Sequence, residues 1–281
     1  ESGFSTVTVM DHLHQIPPVG PRTNYMLEGP TILAGLAART SKVSLGLLVG
    51  GVTYRNPALL AKITTTLDII TGGRVFLGIG AAWFEEEHNA YGFDFPSLGT
   101  RFEHLEDALQ IARKMFTEEE PSFTGTHHSI SNVLNNPRPL RGDIPIMIGG
   151  SGEKKTLRMV AQYADACNVF TSNPDDFTRL MGVLDAHCER LGRDPKEITR
   201  TTMRRIVIGD TQEAAQAKLD AANVPDQVRS MYVVGTADQV AETIGALVDV
   251  GLEGLTLSMT DTHDLDAVRQ VGETLAPVLN G

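Results

Sequence analysis

Short apolar runs alternate along the chain with longer segments in which apolar residues recur at helical spacing. In the first half, residues 4–10, 43–49 and 75–80 are predicted strands, and residues 29–40 and 57–71 are predicted helices. No linker or change in composition interrupts the pattern. An alternation of this kind is typical of a parallel sheet whose strands are joined by crossover helices.

The second half of the chain continues the same alternation. The pattern predicts helices over 101–116, 153–164, from 174 onward, over 237–250 and over 265–279. It predicts strands over 144–148, 166–170, 202–208 and 255–259. Residues 122–132 are predicted to form a small hairpin, which is an insertion near 120–135. The predicted barrel strands of both halves number seven, so one additional strand at the start would complete the eight of a closed (β/α)₈ barrel.

Several helix starts carry residues that cap a helix. Asn56 and Asn173 each precede a proline, which is favoured in the first helical turn because its missing N–H needs no partner there. Thr236 begins a capping-box pattern, and Asp210 with Glu213 is predicted to open a further helix. These signals fix the predicted boundaries independently of the apolar spacing.

Length and composition support one globular domain. The chain has 281 residues, close to the roughly 250 of a typical (β/α)₈ barrel. Apolar residues make up 41% and charged residues 21%, and no apolar run approaches the ~20 residues of a membrane helix. We therefore expect residues 1–281 to form a single α/β TIM-barrel domain without a membrane partner. The chain starts without Met at Glu1 and enters its first strand directly, so we expect the barrel's first strand to be missing.

The charge balance and the cysteines narrow the class of protein. Lys and Arg number 24 against 35 Asp and Glu, which gives a net charge of −11. Nucleic-acid affinity depends on basic residues that neutralise phosphates, so we expect no nucleic-acid partner. Cys167 and Cys188 form no disulfide framework and lack zinc-site spacing. With no signal segment at the start, these features predict a protein of the reducing cytoplasm.

In a barrel the functional residues lie on the loops that follow the strands, at one end of the sheet. Asp11 and His12 directly follow the first predicted strand. The imidazole of His12 titrates near neutral pH and could give a proton to a bound substrate or take one from it. The alternative is that His12 only bonds a neighbouring loop. Its position at the catalytic end of a strand favours the first interpretation.

Two further corners are rich in glycine. Gly50 and Gly51 follow a predicted strand, where they allow the backbone to approach a flat ring or simply make a tight turn. Residues 149–152 stand between a predicted strand and the predicted helix at 153. Free amides at a helix start bind phosphate, and glycines let the phosphate come close; the alternative is an ordinary βα turn. The segment is not a P-loop, because Lys154 stands where that motif needs its second glycine.

A third glycine pair, Gly78 and Gly80, invites comparison with a dinucleotide-binding fingerprint. The third glycine of that fingerprint would fall on Trp83, whose ring would block close packing of helix and strand. A Rossmann-type site is therefore rejected. Trp83 follows a strand, where it could form the wall of a pocket for an aromatic cofactor or cap the barrel mouth.

Two other polar clusters favour structural interpretations. Three consecutive glutamates at 85–87, followed by His88, could supply acid–base groups or metal ligands. Carboxylates at a helix start are more often solvated and stabilised by the helix dipole, so we expect this run to be exposed. His127 and His128 lie in the predicted hairpin without a cysteine or an acidic ligand pattern, and we expect no metal site there.

Several of these stretches together resemble the luciferase-like monooxygenase superfamily, in particular its branch of F420-dependent oxidoreductases from actinobacteria. The resemblance covers essentially the whole chain and is carried by residues 10–12, 52–62, 72–88, 148–152 and 234–238. Taken singly, only Arg55-Asn56-Pro57 and the stretch 83–88 are specific to the superfamily.

The resemblance implies a barrel that carries a flavin-type ring in its mouth and performs hydride transfer. It implies coenzyme F420 as the cofactor, His12 as the proton donor or acceptor, and residues 149–152 on the ribityl phosphate. It also implies a non-proline cis peptide bond near residues 50–52. Relatives often carry Ser or Thr where this chain has Gly50, so the orientation and identity of the cofactor are open at that position. We predict cofactor contacts from Asp11, His12, Val49, Gly50, Gly51, Val52, Gly80, Ala81, Trp83, Glu86, Gly149, Gly150, Ser151 and Gly152.

Two alternatives to an F420-dependent oxidoreductase stay open. One keeps the barrel and uses FMN, as a two-component monooxygenase fed by a separate reductase. The other is a protein that binds the flavin or deazaflavin without catalysis. The resemblance further implies a small-molecule substrate and a homodimer, and it leaves the substrate unnamed because barrel loops vary on a constant scaffold.

Overall fold

The strands lie where the apolar runs predict them. A computed structural model describes residues 2–171, 173–222 and 224–280, so both ends of the predicted domain, Glu1 and Gly281, lie outside the described residues. The strands are β1 (Thr6–Val9), β2 (Ser44–Leu47), β3 (Gly50–Gly51), β4 (Leu77–Gly80), β5 (Phe123–Thr124), β6 (Ser129–Ile130), β7 (Ile146–Gly149), β8 (Ala166–Val169), β9 (Thr199–Ile208), β10 (Tyr232–Gly235) and β11 (Gly254–Met259). Strands are thus found at all seven predicted positions.

Helices connect the strands in nearly every interval. They are α1 (Gly29–Arg39), α2 (Pro57–Thr71), α3 (Glu85–Tyr91), α4 (Leu98–Thr117), α5 (Thr156–Tyr163), α6 (Pro174–Leu191), α7 (Gln212–Ala221), α8 (Asp226–Arg229), α9 (Ala237–Val248) and α10 (Leu265–Asn280). A short 3-10 helix at Pro195–Glu197 precedes β9. Among the described residues, none of these helices has the length and hydropathy needed to cross a membrane.

The barrel strands pair in parallel. β1 pairs with β2, and a bridge between Leu45 and Val75 joins β2 to the segment leading into β4. From there the order runs β4, β7, β8 and β9, and β3 adds to the free side of β4. Residues 201–206 of β9 pair with β11, and its last four residues pair with β10. The expected α/β fold with the strand order of a (β/α)₈ barrel is confirmed.

The helices cover the outer face of the sheet and form the core with it. Ile146 and Ile148 of β7 are fully buried and alternate with the half-buried Met147, because successive side chains of a strand point to opposite faces. Phe116 of α4 and Phe177 of α6 are also fully buried in this layer. The core therefore lies between sheet and helices, and it leaves the ends of the strands free to carry a site.

The capping predictions are confirmed at three helices and wrong at one. The Asn56 side chain accepts the Ala58 N–H at 2.9 Å, the Asn173 side chain caps α6, and Thr236 opens a complete capping box. At α7 the cap is Thr211 rather than Asp210. Asp and Thr side chains can each accept a hydrogen bond from a helix amide, so the sequence alone did not show which of the two neighbours caps α7.

Helix α5 begins three residues later than predicted, at Thr156 instead of 153. Residues 153–155 form a turn, and the Leu157 N–H bonds the Gly152 carbonyl, one residue farther back than a regular helical bond reaches. The segment between β7 and α5 is consequently longer than a simple βα turn. That extra length lies at the corner where a phosphate was expected.

A cavity of about 710 Å³ opens at the amino-terminal ends of the strands, between β1 and β11. Its lining includes Thr6, Ser44, Ala166, Thr199 and Gly254, each at or near the start of a strand. No hydrogen-bonded ladder joins β1 to β11 within the described ranges. The residues predicted to bind a cofactor lie at the opposite end of the sheet.

Candidate active site

The three predicted corners meet at the carboxyl ends of neighbouring strands. Gly51 of β3 stands opposite Gly80 at the end of β4. The Val49 side chain lies across the next strand ends: a Cβ placed on Gly80 would come 3.0 Å from Val49 Cγ2, and one placed on Gly149 would come 2.8 Å from it. Because Gly80 and Gly149 have no side chain, Val49 can pack against the ends of both strands. The ends of β2, β4 and β7 therefore form one continuous surface.

The loop after β1 brings His12 to this end of the sheet. Nδ1 of His12 lies 2.9 Å from Oε2 of Glu87, which comes from the first turn of α3. The His12 side chain is 13% exposed, whereas that of Glu87 is fully buried. Nε2 of His12 makes no hydrogen bond to any described residue, so this nitrogen is available to a ligand.

Glu87 is buried because four donors satisfy its carboxylate. Oε1 accepts the backbone N–H groups of Leu13 and His14, and Oε2 accepts the Tyr54 hydroxyl in addition to His12. Burial by itself would raise the pKa of Glu87, but these hydrogen bonds, that of His12 foremost, lower it to about 2. The prediction of a solvated carboxylate run is therefore wrong at this residue, since a loop distant in sequence supplies its donors.

A stacked pair of rings supports the Glu87 carboxylate. The Tyr54 ring lies on that of His88, with centroids 4.6 Å apart. Nδ1 of His88 lies 2.8 Å from the Phe84 carbonyl, and its Nε2 lies 2.6 Å from Oγ1 of Thr53. A carbonyl only accepts, so Nδ1 carries the proton and Nε2 accepts the Thr53 hydroxyl. Both ring nitrogens of His88 are occupied, and its role is to hold Tyr54.

Asp11 points into the fold beside this network. Its Oδ2 accepts the Gly51 N–H at 3.1 Å and Nη1 of Arg55 at 2.7 Å, and the residue is 3% exposed. Arg55 also pairs with Glu28, which caps α1. Burial of Arg55 opposes its charge, but the hydrogen bonds and charges of the two carboxylates raise its pKa above its ordinary value. The Asp11 carboxylate thus joins the end of β1 to β3.

Aromatic side chains lie beside the imidazole of His12. The rings of Trp83 and Phe84 stack with centroids 4.9 Å apart, and Trp83 meets the His12 ring edge-on at 5.6 Å. Trp83 is 56% exposed, whereas Phe84 is buried. Just before them, Ala82 takes a left-handed conformation with φ of +59°, which is uncommon for a residue with a Cβ. The loop after β4 thereby presents a large ring next to the His12 side chain.

The corner after β7 presents unpaired backbone amides. None of the amides of residues 151–154 donates a hydrogen bond to a described residue, whereas the Gly150 N–H bonds the Asn168 carbonyl at 2.9 Å. Gly150 has φ of +125°, a conformation that favours glycine. The Ser151 hydroxyl bonds both the N–H and the carbonyl of Phe170, so it ties this corner to the one after β8. Only its amide is left for a ligand.

Comparison with known protein families accounts for this arrangement. The family described as luciferase-like monooxygenase matches residues 1–225 of the chain, well over half of its length. The chain belongs to this luciferase-like family. It is therefore an enzyme of a group of oxidoreductases, and the resemblance stated from the sequence is confirmed.

Luciferase-like relatives differ in the reactions that their names give. The chain is 31% identical over 226 residues to pyrimidine monooxygenase RutA of Stutzerimonas stutzeri, covering 77% of this chain and 61% of that protein. It is also 31% identical over 258 residues to the phthiodiolone/phenolphthiodiolone dimycocerosates ketoreductase of Mycobacterium bovis, covering 83% of this chain and 66% of the relative. The chain therefore spans less than two thirds of the length of both relatives.

Solved structures with the same fold include an F420-dependent dehydrogenase and a monooxygenase. An F420-dependent secondary alcohol dehydrogenase in complex with an F420-acetone adduct superimposes with a TM-score of 0.85 at 18% identity, covering 99% of this chain and 91% of the other. EDTA monooxygenase from Chelativorans sp. BNC1 gives 0.83 at 15% identity, covering 98% and 82%. At these identities the likeness shows a shared fold.

Two expectations drawn from the luciferase-like resemblance change in detail. The non-proline cis peptide bond joins Leu48 to Val49, directly before the expected segment 50–52. The shift places the bond directly after β2 and before β3, whose two glycines take part in sheet pairing. Glu86, expected at the cofactor, carries a half-exposed side chain that pairs with Arg22 at 2.9 Å. The structure thus brings Glu87 to His12 and directs its neighbour to the surface.

Val52, Ala81 and the two hairpin histidines complete the set of residues singled out from the sequence. Val52 is buried under the β3–β4 edge, and the Ala81 carbonyl accepts Nε of Arg101 at 3.0 Å. His127 and His128 lie between β5 and β6, in the hairpin that the sequence predicted. No group of three potential metal-ligating side chains occurs in the part of the chain that the structure describes. The residues that the sequence reasoning missed are Tyr54 and Glu87.

Proposed function

We propose that this luciferase-like chain is an F420-dependent oxidoreductase that transfers a hydride to or from a small organic carbonyl or alcohol. The observation that carries the proposal is His12, whose Nδ1 is held by a buried carboxylate while its Nε2, beside Trp83, bonds no described residue. A deazaflavin supplies the hydride chemistry when it is bound. The protein's own contribution is to orient the reactants and to move a proton.

The corner after β7 fits an anionic tail. The amides of residues 151–154, which donate to no described residue, and the left-handed Gly150 offer donors to a ligand. Such amides at the start of a helix attract a phosphate because the helix dipole and the N–H groups act together. The amides of Ser151 and Gly152 would hold the phosphate, and the Ser151 hydroxyl would keep the corner in place.

The strand ends beside His12 are the predicted place of a flat ring. A Cβ on Gly51 would meet the Tyr54 ring, and one on Gly80 would meet Val49, so these glycines allow close packing of the protein's own side chains. The contacts of Gly50, Gly51 and Gly80 with a planar cofactor stay a prediction. Trp83 lies beside His12, where its ring would cover one side of a bound cofactor and exclude water from it.

The proton step follows from the hydrogen bonds of His12. With a carbonyl substrate, the protonated imidazole gives the Nε2 proton to the substrate oxygen as a hydride reaches the carbonyl carbon, which yields an alcohol. With an alcohol substrate, neutral Nε2 takes the hydroxyl proton and the hydride leaves in the opposite direction. In both directions the Nδ1 proton stays with His12 and Glu87 stays ionised.

A second candidate is an FMN-dependent monooxygenase. The similarity to RutA, named as a monooxygenase, and the shape shared with EDTA monooxygenase favour it. Gly50 has no hydroxyl that could bond the ring, so the residue at this position does not separate the two cofactors. A third candidate, a protein that binds the cofactor without turnover, is tested by the same experiment.

We further propose a homodimer in the cytoplasm of an actinobacterium, from the resemblance and the two free, buried cysteines.

A binding titration separates these candidates. The purified full-length protein is titrated with F420, FMN and NADPH, and binding is followed by fluorescence. We expect saturable binding of F420, and reduction of at least one member of a panel of aldehydes and ketones by reduced F420. Binding of FMN alone, with oxygen uptake in the presence of a flavin reductase, would replace the proposal by the monooxygenase. Binding of neither ring would remove both.

A further inference from the structure

We infer that Glu87 is a positioning residue for His12: its carboxylate keeps the imidazole proton on Nδ1 and thereby reserves Nε2 for proton exchange. The inference deepens the proposed function and rests on it for its catalytic meaning. Its structural part, the tautomer of His12, stands on the geometry of the chain alone. The Glu87 side chain is fully buried, so it acts on a ligand through His12.

The two oxygens of Glu87 have separate partners. Oε1 holds the backbone of the loop after β1 through the amides of Leu13 and His14, the second at 3.1 Å. Oε2 holds the His12 ring at 2.9 Å and the Tyr54 hydroxyl. One carboxylate therefore fixes both the path of the loop and the rotation of the ring that the loop carries. Few other side chains could serve both purposes.

The tautomer follows from what a carboxylate can do. An ionised carboxylate is an acceptor only, so every group within hydrogen-bond distance of it must donate. Three of its partners, two amides and a hydroxyl, are donors already. Nδ1 of His12 must donate as well, and the neutral ring consequently carries its lone pair on Nε2. The depressed pKa of Glu87, about 2, keeps the carboxylate ionised throughout the neutral range.

Other charged groups near the pair do not compete for the imidazole. The Asp11 carboxylate is committed to Arg55 and to the Gly51 amide. Burial, followed by the hydrogen bond and charge of Glu87, raises the pKa of Tyr54, so its hydroxyl stays protonated and donates. Glu85 on the same helix turn is exposed and has no hydrogen bond to a described residue. It therefore offers a matched control for Glu87.

The tautomer is tested first in the cofactor-free protein. Long-range proton–nitrogen spectra of protein labelled with ¹⁵N-histidine are recorded at about pH 9, where imidazoles are neutral. The sequence has eight histidines, so the signal of His12 is assigned by its absence in His12→Ala. We expect the Nδ1–H pattern for His12 in the wild type and in Glu85→Gln. Glu87→Gln places an amide donor beside the ring, and we expect the Nε2–H pattern there.

The catalytic part is tested with the same three proteins. Reduced F420 and the carbonyl compound that the wild type reduces fastest serve as substrates, and kcat is measured against pH. We expect Glu87→Gln to lower kcat by roughly 10²-fold or more, because the protonated imidazole that gives up its Nε2 proton loses the carboxylate that holds Nδ1, while KM changes by less than about twofold. Glu85→Gln should match the wild type.

The outcomes separate the two ideas. An Nε2–H pattern in the wild type, or an unchanged pattern in Glu87→Gln, would overturn the positioning role whatever the enzyme does. An Nδ1–H pattern in a wild type that binds neither ring would leave Glu87 as the determinant of the tautomer and remove the proposed function. Equal kcat and pH profiles in the wild type and Glu87→Gln would confine Glu87 to structure. Circular dichroism confirms that each variant is folded.

Discussion

Two buried carboxylates each organise a loop that carries histidines, and they do so with different results. Asp107 of α4 accepts three backbone amides of the hairpin, those of Thr126, His127 and His128, at 2.7–3.1 Å. Glu87 accepts two backbone N–H groups on Oε1, and its Oε2 accepts hydrogen bonds from an imidazole and a hydroxyl. Asp107 thus acts as a structural anchor, whereas Glu87 both anchors a loop and sets the state of a ring.

The histidines around the two carboxylates differ accordingly. Nδ1 of His104 lies 2.8 Å from Nε2 of His128, and the rings of His104 and His127 stack with centroids 4.2 Å apart. The half-exposed Glu103 pairs with His127 at 2.8 Å, while burial first and then the neighbouring imidazoles lower the pKa of His104. His12 instead has a carboxylate on one nitrogen and a free second nitrogen. We therefore place the proposed proton exchange at His12, where a buried anion determines which nitrogen carries the proton.

The largest expected difference between the two regions is in turnover. Replacing His12 by Ala removes the proton donor, and we expect kcat for carbonyl reduction by reduced F420 to fall by roughly 10²–10⁴-fold. F420 affinity, measured by fluorescence titration, should stay within about twofold of the wild type, because the phosphate corner is untouched. His104→Ala, on the hairpin side, is the matched control and should keep wild-type turnover. Unchanged turnover in His12→Ala would remove that residue from the role.

The second-largest expected effect is a loss of stability when the carboxylate that anchors the hairpin is changed. Asp107→Asn replaces one acceptor oxygen by an amino group that faces backbone N–H groups. We expect the free energy of unfolding to fall by about 1–3 kcal/mol, the usual cost of leaving buried donors unpaired. Urea denaturation followed by circular dichroism measures it. Below the transition the folded variant should retain wild-type kcat, and a large loss of kcat would contradict the division between the two regions.

A smaller effect on turnover is expected from Tyr54→Phe. The variant removes the hydroxyl that donates to Oε2 of Glu87 and keeps the ring that stacks on His88. His12 and two backbone amides still hold the carboxylate, so we expect kcat to fall only by roughly 2- to 10-fold, the equivalent of one hydrogen bond. A loss as large as that of His12→Ala would mean that Tyr54 acts directly in the reaction.

The smallest effect is a difference in the pH range over which each region loses stability. Burial lowers the pKa values of His104 and His128 below the ordinary 6.5, so their neutral rings stabilise the fold above pH 6.5 and this contribution is lost as the pH falls below it. Glu87, with an ordinary value of 4.5 and a folded pKa of about 2, loses its contribution only as the pH falls from 4.5 toward 2.

Urea midpoints measured between pH 8 and pH 3 check this separation. His128→Gln should flatten the decline just below pH 6.5, and Glu87→Gln should flatten the decline below pH 4.5. A variant that flattened the other interval would show that the assignment of the two regions is reversed.

The parts of the fold that depend on local signals were predictable from the sequence. Helix α2 runs over Pro57–Thr71 as expected, because Asn56 caps its start and Gly72, with φ of +69°, ends it. The strand β10 was missed because it pairs with the last residues of β9, a contact that no local pattern encodes. The same is true of the short helix α8, whose four residues give too little periodicity to register.

The candidate site was predictable in position and not in its internal chemistry. His12 and residues 149–152 follow strands, and the rule that loops after strands carry function locates them. Glu85, Glu86 and Glu87 are identical as letters, and only the folding of the distant loop after β1 onto α3 selects the last of them. Helical spacing places the three on different faces, but it does not say which face meets a donor.

The central claim is that a planar redox ring lies across the ends of β2 and β4 near His12, with its phosphate on the corner after β7. A crystal structure of the protein with F420 tests it most directly. We predict phosphate oxygens within hydrogen-bond distance of the amides of residues 151–154, and the ring within reach of Nε2 of His12. A phosphate bound at another corner, or a ring held away from His12, would contradict the account.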